Sequence, residues 1–71
     1  MGDDQATRDW VRRIHSEFIE MPGLRLTRVQ AQRLWALEPH VCEQVLDALV
    51  SAHLLERTAT NAYVLAGASR P

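Results

Sequence analysis

The chain has 71 residues with a net charge of −1, an apolar content of 46% and eight basic residues, all of them arginine. This length predicts one domain, over residues 6–66 with flexible tails at 1–5 and 67–71, and the apolar content excludes intrinsic disorder. No apolar run approaches the roughly 20 residues of a membrane span, and the acidic start lacks the basic residues of a signal peptide, so we expect a cytoplasmic protein without membrane contact.

The first predicted element is an amphipathic helix over Ala6–Glu20. Its apolar residues recur every three or four positions, as on one side of a helix: Trp10, Val11, Ile14 and Phe18. The segment Met21–Gly23 contains proline and glycine and ends this helix. The alternating residues of Leu24–Leu26 then predict a short strand.

The second predicted helix covers Arg28–Ala36 and has a clear start signal. Thr27 is able to accept a hydrogen bond from the backbone of the first turn, while Gln30 reaches back to the backbone of Thr27. This reciprocal arrangement is a capping box. We expect Ala31 and Leu34 to face the core from this helix.

A third helix is predicted over Pro39–Ala52, because proline is favoured at a first helical position and disfavours helix for the residue before it. Its predicted buried stripe is Cys42, Val45, Leu46, Leu49 and Val50. Two strands follow, at 54–58 and 62–65, and form a hairpin. Asn61 is the turn residue best suited to positive φ.

The order of these elements resembles that of the winged helix-turn-helix domains of bacterial regulators. The chain follows that order from Arg8 to Leu65. The matching positions are Leu26-Thr27, Gln30-Ala31, Leu34, Leu37, Val45-Leu46, Leu49-Val50, Leu54-Leu55 and Arg57-Thr58. The resemblance implies an α+β fold of three helices with a C-terminal two-stranded β-hairpin, the wing. His53 stands where many members have glycine, but histidine tolerates left-handed backbone geometry.

The resemblance also implies where DNA would bind, because the third helix of such domains enters the major groove and the wing meets the backbone. The exposed positions of that helix would be His40, Glu43, Gln44, Asp47 and Ser51, and those of the wing Arg57, Thr60 and Asn61. Between Glu38 and Glu56 there are four acidic residues and no arginine. Such a surface repels phosphates, so the sequence argues against conventional DNA binding through this helix.

Two other surfaces are candidates for binding. Arg25, Arg28 and Arg33 would form a basic face at the second helix, either solvated or in contact with nucleic acid. Trp35 with Met21 and Leu24 would form an apolar docking patch, unless Trp35 closes the edge of the core. The basic first half and the acidic third helix also suit docking to a basic partner, or to a second copy head-to-tail.

The sequence offers no catalytic or metal-binding pattern. It has no glycine-rich phosphate loop and no nucleophile–base pair, and the set of His40, Cys42 and His53 lacks the four closely spaced ligands of a structural metal site. We expect no enzyme, no metal and no small-molecule cofactor. The sequence therefore predicts a non-catalytic binding module with a regulatory or adaptor role through protein interaction or self-association. The alternative is a transcription regulator that binds duplex DNA through its third helix and wing.

Overall fold

A computed structural model describes residues 2–67 of the chain, with side chains from residue 6 onward. In chain order the elements are α1 (Gly2–Glu20), β1 (Leu26–Thr27), α2 (Arg28–Leu34), α3 (Pro39–Ser51), β2 (Leu55–Arg57) and β3 (Ala62–Leu65). The predicted α+β class and the three helices are confirmed. The arrangement is compatible with a winged helix.

The sheet of the described chain has three antiparallel strands in the order β1-β3-β2, so the expected two-stranded hairpin is wrong in its strand count. The hairpin itself forms, with Leu55 opposite Leu65. The additional strand is β1, in which Leu26 pairs with Tyr63 and Thr27 with Ala62. β1 pairs with the edge of β3 that faces away from β2. In an isolated hairpin the backbone groups of that edge would be left to water.

The start of α1 differs from the prediction, and its end at Glu20 is confirmed. The helix begins at Gly2 rather than Ala6, so residues 2–5 of the expected tail are helical. Gly67, the first residue of the expected C-terminal tail, lies in a turn with φ of 82°. Position 1 and positions 68–71 of the two expected tails lie outside the described residues.

The start of α2 follows the predicted capping box. The backbone N–H of Gln30 donates to Thr27 Oγ1 at 3.2 Å, and the backbone N–H of Thr27 donates to Gln30 Oε1 at 2.9 Å. The helix ends at Leu34, two residues before the expected end, because Ala36 adopts a φ of 51° and turns the chain. Pro39 then occupies the first turn of α3 as predicted.

The core lies between α1, α3 and the sheet. Most of the predicted α3 stripe is fully buried, with Val50 partly buried, and Ile14 and Phe18 of α1 are also fully buried. Leu34 departs from the prediction, since 58% of its surface is exposed. The adjacent Trp35 takes the inward position instead, with its ring centroid 6.5 Å from that of Phe18. None of the described helices has the length and apolar character needed to cross a membrane.

Candidate interaction surfaces

The outer face of α3 carries the five residues that the sequence assigned to it. His40, Glu43, Gln44, Asp47 and Ser51 are all exposed. Their exposure follows from the buried stripe on the other side of the helix, because residues three and four apart share one face. The structure therefore brings these residues together on one surface.

A salt bridge joins α2 to this face. The Nη1 atom of Arg28 lies 2.9 Å from Oε2 of Glu43, and about half of each side chain is exposed. Arg28 is the first residue of α2, where the capping box fixes the backbone. A second contact joins the two helices at Cys42, the residue before Glu43. Its thiol donates to the carbonyl oxygen of Arg28 at 3.6 Å.

Cys42 is a free, buried cysteine at the contact between α2 and α3. Burial raises the pKa of the Cys42 thiol, and the positive charge of Arg28 opposes that increase. A raised pKa keeps the thiol protonated and unreactive, since the thiolate is the nucleophile and the metal-binding form. Cys42 therefore acts as a small apolar core residue.

Other charged side chains of these helices remain unpaired. The side chains of Arg33 on α2 and Asp47 on α3 are exposed and have no ionic or hydrogen-bonded partner among residues 6–67. The α3 segment contributes no lysine or arginine. The outer face of α3 thus keeps a negative charge at Asp47 after Arg28 has neutralised Glu43.

The turn between β2 and β3 is held by its own hydroxyl groups. The backbone N–H groups of Thr60 and Ala62 both donate to Thr58 Oγ1, at 3.3 and 3.1 Å. Asn61 adopts the expected positive φ, at 64°. The predicted wing residues Arg57, Thr60 and Asn61 are all exposed on this ordered turn.

A cleft of about 360 Å³ separates the start of α2 from the hairpin. It is lined by Thr27, Arg28, Val29, Arg57, Asn61 and Tyr63. Two arginines that the sequence assigned to different surfaces, Arg28 and Arg57, therefore face the same space. The signal for this is the pairing of Thr27 with Ala62, which brings the start of α2 beside the hairpin. A two-residue strand is too short to predict that pairing from the sequence.

The expected basic face is only partly assembled. Arg25, Arg28 and Arg33 are all exposed, but Arg28 is engaged with Glu43. The expected apolar patch is also divided: Met21 is 47% exposed, whereas Leu24 and Trp35 are partly buried against the core. Sequence reasoning missed two exposed apolar residues of α2, Val29 and Leu34.

Metal-binding clusters and unsatisfied buried polar groups are absent from the described residues. No group of three histidine, cysteine, aspartate or glutamate side chains within the described chain is placed to hold a metal ion. No buried side-chain polar atom in that region lacks a hydrogen bond. Along α1, the guanidinium of Arg13 lies 5.0 Å from the ring centroid of Trp10, an exposed cation–π contact.

Comparison of the chain with protein-family models, with curated proteins and with solved structures found no match.

Proposed function

We propose that the chain is a non-catalytic winged-helix module, of the kind found in bacterial regulators, that acts as a regulator or adaptor by docking a protein through the outer face of α3. The order of helices and strands supports the winged-helix assignment, with β1 as the third strand of the sheet. In such a domain α3 is the helix that presents its outer face to a partner.

The observation that carries the proposal is the charge of that face. Glu43 and Asp47 are exposed, α3 contributes no lysine or arginine, and only Glu43 has a salt bridge. A negative helix repels the DNA backbone but complements a basic protein surface. We therefore assign a partner with a basic docking surface. The cytoplasm is the proposed location, since a free, protonated Cys42 fits a reducing compartment.

Site-specific photocrosslinking from Gln44 tests this assignment, because its side chain lies on the exposed face of α3. The expected product, formed in the producing cell, is a covalent adduct with a protein. Binding of that purified protein should weaken with Asp47→Asn and persist with Asp9→Asn, a matched change on the exposed side of α1. Adducts with nucleic acid alone, or equal effects of the two substitutions, would contradict protein docking through α3.

DNA binding as a transcription regulator is the second candidate function, and the arginine cleft is the observation that favours it. Arg28 and Arg57 line one cleft between α2 and the wing, and no acidic residue lines it. A guanidinium is suited to contact the phosphates that flank a groove. Arg57 offers one directly, whereas Arg28 shares its guanidinium with Glu43. This route needs α3 to lie close to DNA despite its acidic residues.

The salt dependence of duplex binding separates the two functions. If the cleft contacts the backbone, Arg57→Ala should weaken binding to a mixed-sequence duplex and reduce the salt slope by about one. Arg12→Ala, on the exposed side of α1, is the matched control and should change neither quantity. The absence of measurable duplex binding at low salt would exclude the DNA function.

A further inference from the structure

We propose that the cleft between α2 and the hairpin binds a small organic carboxylate. The six residues that line this cleft all lie outside α3, so the site goes beyond the proposed docking through that helix. Its volume of about 360 Å³ falls within the roughly 300–1,000 Å³ that is usual for small-molecule sites. Tyr63, Arg57 and Asn61 provide the polar groups that a ligand would contact there.

The hydroxyl of Tyr63 is a buried residue's polar group without a partner. Tyr63 is only 5% exposed, yet its hydroxyl has no hydrogen bond to any group among residues 6–67. A buried tyrosine usually finds a partner for this group. Within the same residues every fully buried polar side-chain atom is hydrogen-bonded, so the hydroxyl must reach solvent. The cleft is an opening that Tyr63 lines, and there its O–H is able to donate to an oxygen of a ligand.

The pairing of the strands places Arg57 beside Tyr63. The two residues are opposite each other in β2 and β3, so their side chains leave the sheet on the same face. Arg57 is exposed, and its guanidinium has no ionic or hydrogen-bonded partner in the described part of the chain. Asn61 lines the same cleft, and a hydrogen bond of 3.0 Å from its backbone N–H to the carbonyl oxygen of Thr58 holds it in the turn. Three side chains with free donors therefore face one space.

The charge of the cleft suits a ligand with a single negative charge. Arg28 also lines the cleft, but Glu43 balances its charge at 2.9 Å, so Arg57 is the uncompensated cation of the lining. A carboxylate has one negative charge, and its two oxygens match the planar fork of a guanidinium. A phosphate monoester carries nearly two negative charges at neutral pH and would leave one unmatched. Val29, which is 56% exposed, offers an apolar wall for a short hydrocarbon chain.

NMR titration of the labelled full chain with sodium butyrate, at constant ionic strength, tests the site. The expected result is saturable binding in the millimolar range, with shifts at the Nε–H of Arg57 and at the backbone amides of Asn61 and Tyr63. Butyramide, the neutral analogue, should give no such shifts, and inorganic phosphate should bind more weakly than butyrate. The proposal is overturned if butyrate produces no saturable shift at Arg57, if butyramide binds equally well, or if phosphate binds more tightly.

Two conservative substitutions test the contacts. Tyr63→Phe removes only the hydroxyl and should weaken butyrate binding about fivefold, while the midpoint of urea unfolding stays unchanged because the hydroxyl has no partner in the fold. Arg57→Lys keeps the charge but removes the planar fork, and should weaken binding by about the same factor. Arg12→Lys, on the exposed side of α1, is the matched control and should change nothing. Unchanged binding in either cleft variant would contradict the proposed contacts.

The outcomes also separate the carboxylate site from the two functions proposed above. If Arg57→Ala weakens duplex binding while butyrate leaves Arg57 unshifted, the cleft contacts nucleic acid and the carboxylate site is wrong. If butyrate binds as expected but photocrosslinking from Gln44 captures no protein, the carboxylate site stands and docking through α3 fails.

Discussion

Arg28 and Glu43, fifteen residues apart in sequence, join the start of α2 to α3 through a 2.9 Å contact between Nη1 and Oε2. The contact removes one positive charge from the expected basic face and one negative charge from the outer face of α3. The side chains of Arg33 on α2 and Asp47 on α3 keep their charges unpaired among residues 6–67. The charge available to a partner is therefore set by tertiary pairing as well as by composition.

The salt bridge should contribute little to stability. About half of each side chain is exposed to water, and exposed ion pairs are worth roughly 0.2–1 kcal/mol. A double-mutant cycle with Arg28→Ala and Glu43→Ala, measured by urea unfolding, should give a coupling energy in that range, which salt reduces. A coupling energy of about 2–3 kcal/mol that salt does not reduce would show that the contact is shielded from solvent.

Two leucines should respond very differently to truncation. Leu46 is fully buried, whereas Leu34 is 58% exposed. Leu46→Ala should lower the free energy of unfolding by roughly 2–5 kcal/mol, because it leaves a cavity in the core. Leu34→Ala should change it by no more than about 0.5 kcal/mol. Urea unfolding of the two variants measures both values, and similar losses would mean that Leu34 is buried in solution.

The local signals of the sequence were sufficient to predict where α2 and α3 begin and which residues of α3 are buried. The capping box of Thr27 and Gln30 involves residues three apart, and Pro39 restricts its own backbone, so neither depends on the rest of the fold. The buried stripe of α3 repeats over three turns. A repeated pattern of this length indicates one face without ambiguity.

The features that the sequence did not predict depend on distant residues. Whether Leu34 or Trp35 faces the core is decided by where α2 ends and by the ring of Phe18 on α1. A short strand is predicted at Leu24–Leu26, but its place in the sheet is not, because that requires Thr27 to pair with Ala62, 35 positions later. The cleft that joins Arg28 to Arg57 is a consequence of that same pairing. No local pattern contains this information.

The turn between α2 and α3 should be stabilised by glycine at one position. Ala36 has a φ of 51°, a left-handed conformation that costs an ordinary L-residue about 1–2 kcal/mol. Glycine avoids that cost but makes the unfolded chain more flexible, at roughly 0.4–1 kcal/mol. Ala36→Gly should therefore raise the free energy of unfolding by about 0.5–1 kcal/mol, as measured in urea.

Ala48 provides the matched control for this substitution. It is an exposed alanine inside α3, where glycine is destabilising by roughly 0.5–1 kcal/mol. The same chemical change should thus have opposite signs at Ala36 and Ala48. A loss of stability at both positions would show that the turn at Ala36 is not left-handed.

Stability should fall at alkaline pH through Cys42. Burial raises the pKa of this thiol above its ordinary value of 9.0, with the charge of Arg28 partly opposing the shift. The unfolded chain then loses the thiol proton at a lower pH than the folded protein. The contribution of the Cys42 thiol to the free energy of unfolding is therefore fully present below pH 9.0. It is lost as the pH rises through the pKa of the thiol in the folded protein.

Cys42→Ala isolates that contribution, because it removes the thiol and leaves the other alkaline-titrating groups unchanged. The variant should be less stable than the original chain at neutral pH, since a small buried side chain has been shortened. The difference between the two proteins should narrow above pH 9.0, where only the original chain loses the thiol contribution. Urea unfolding across this range measures both curves. Parallel curves would show that the thiol has the same pKa in the folded and unfolded states. The surroundings of Cys42 would then be open to water.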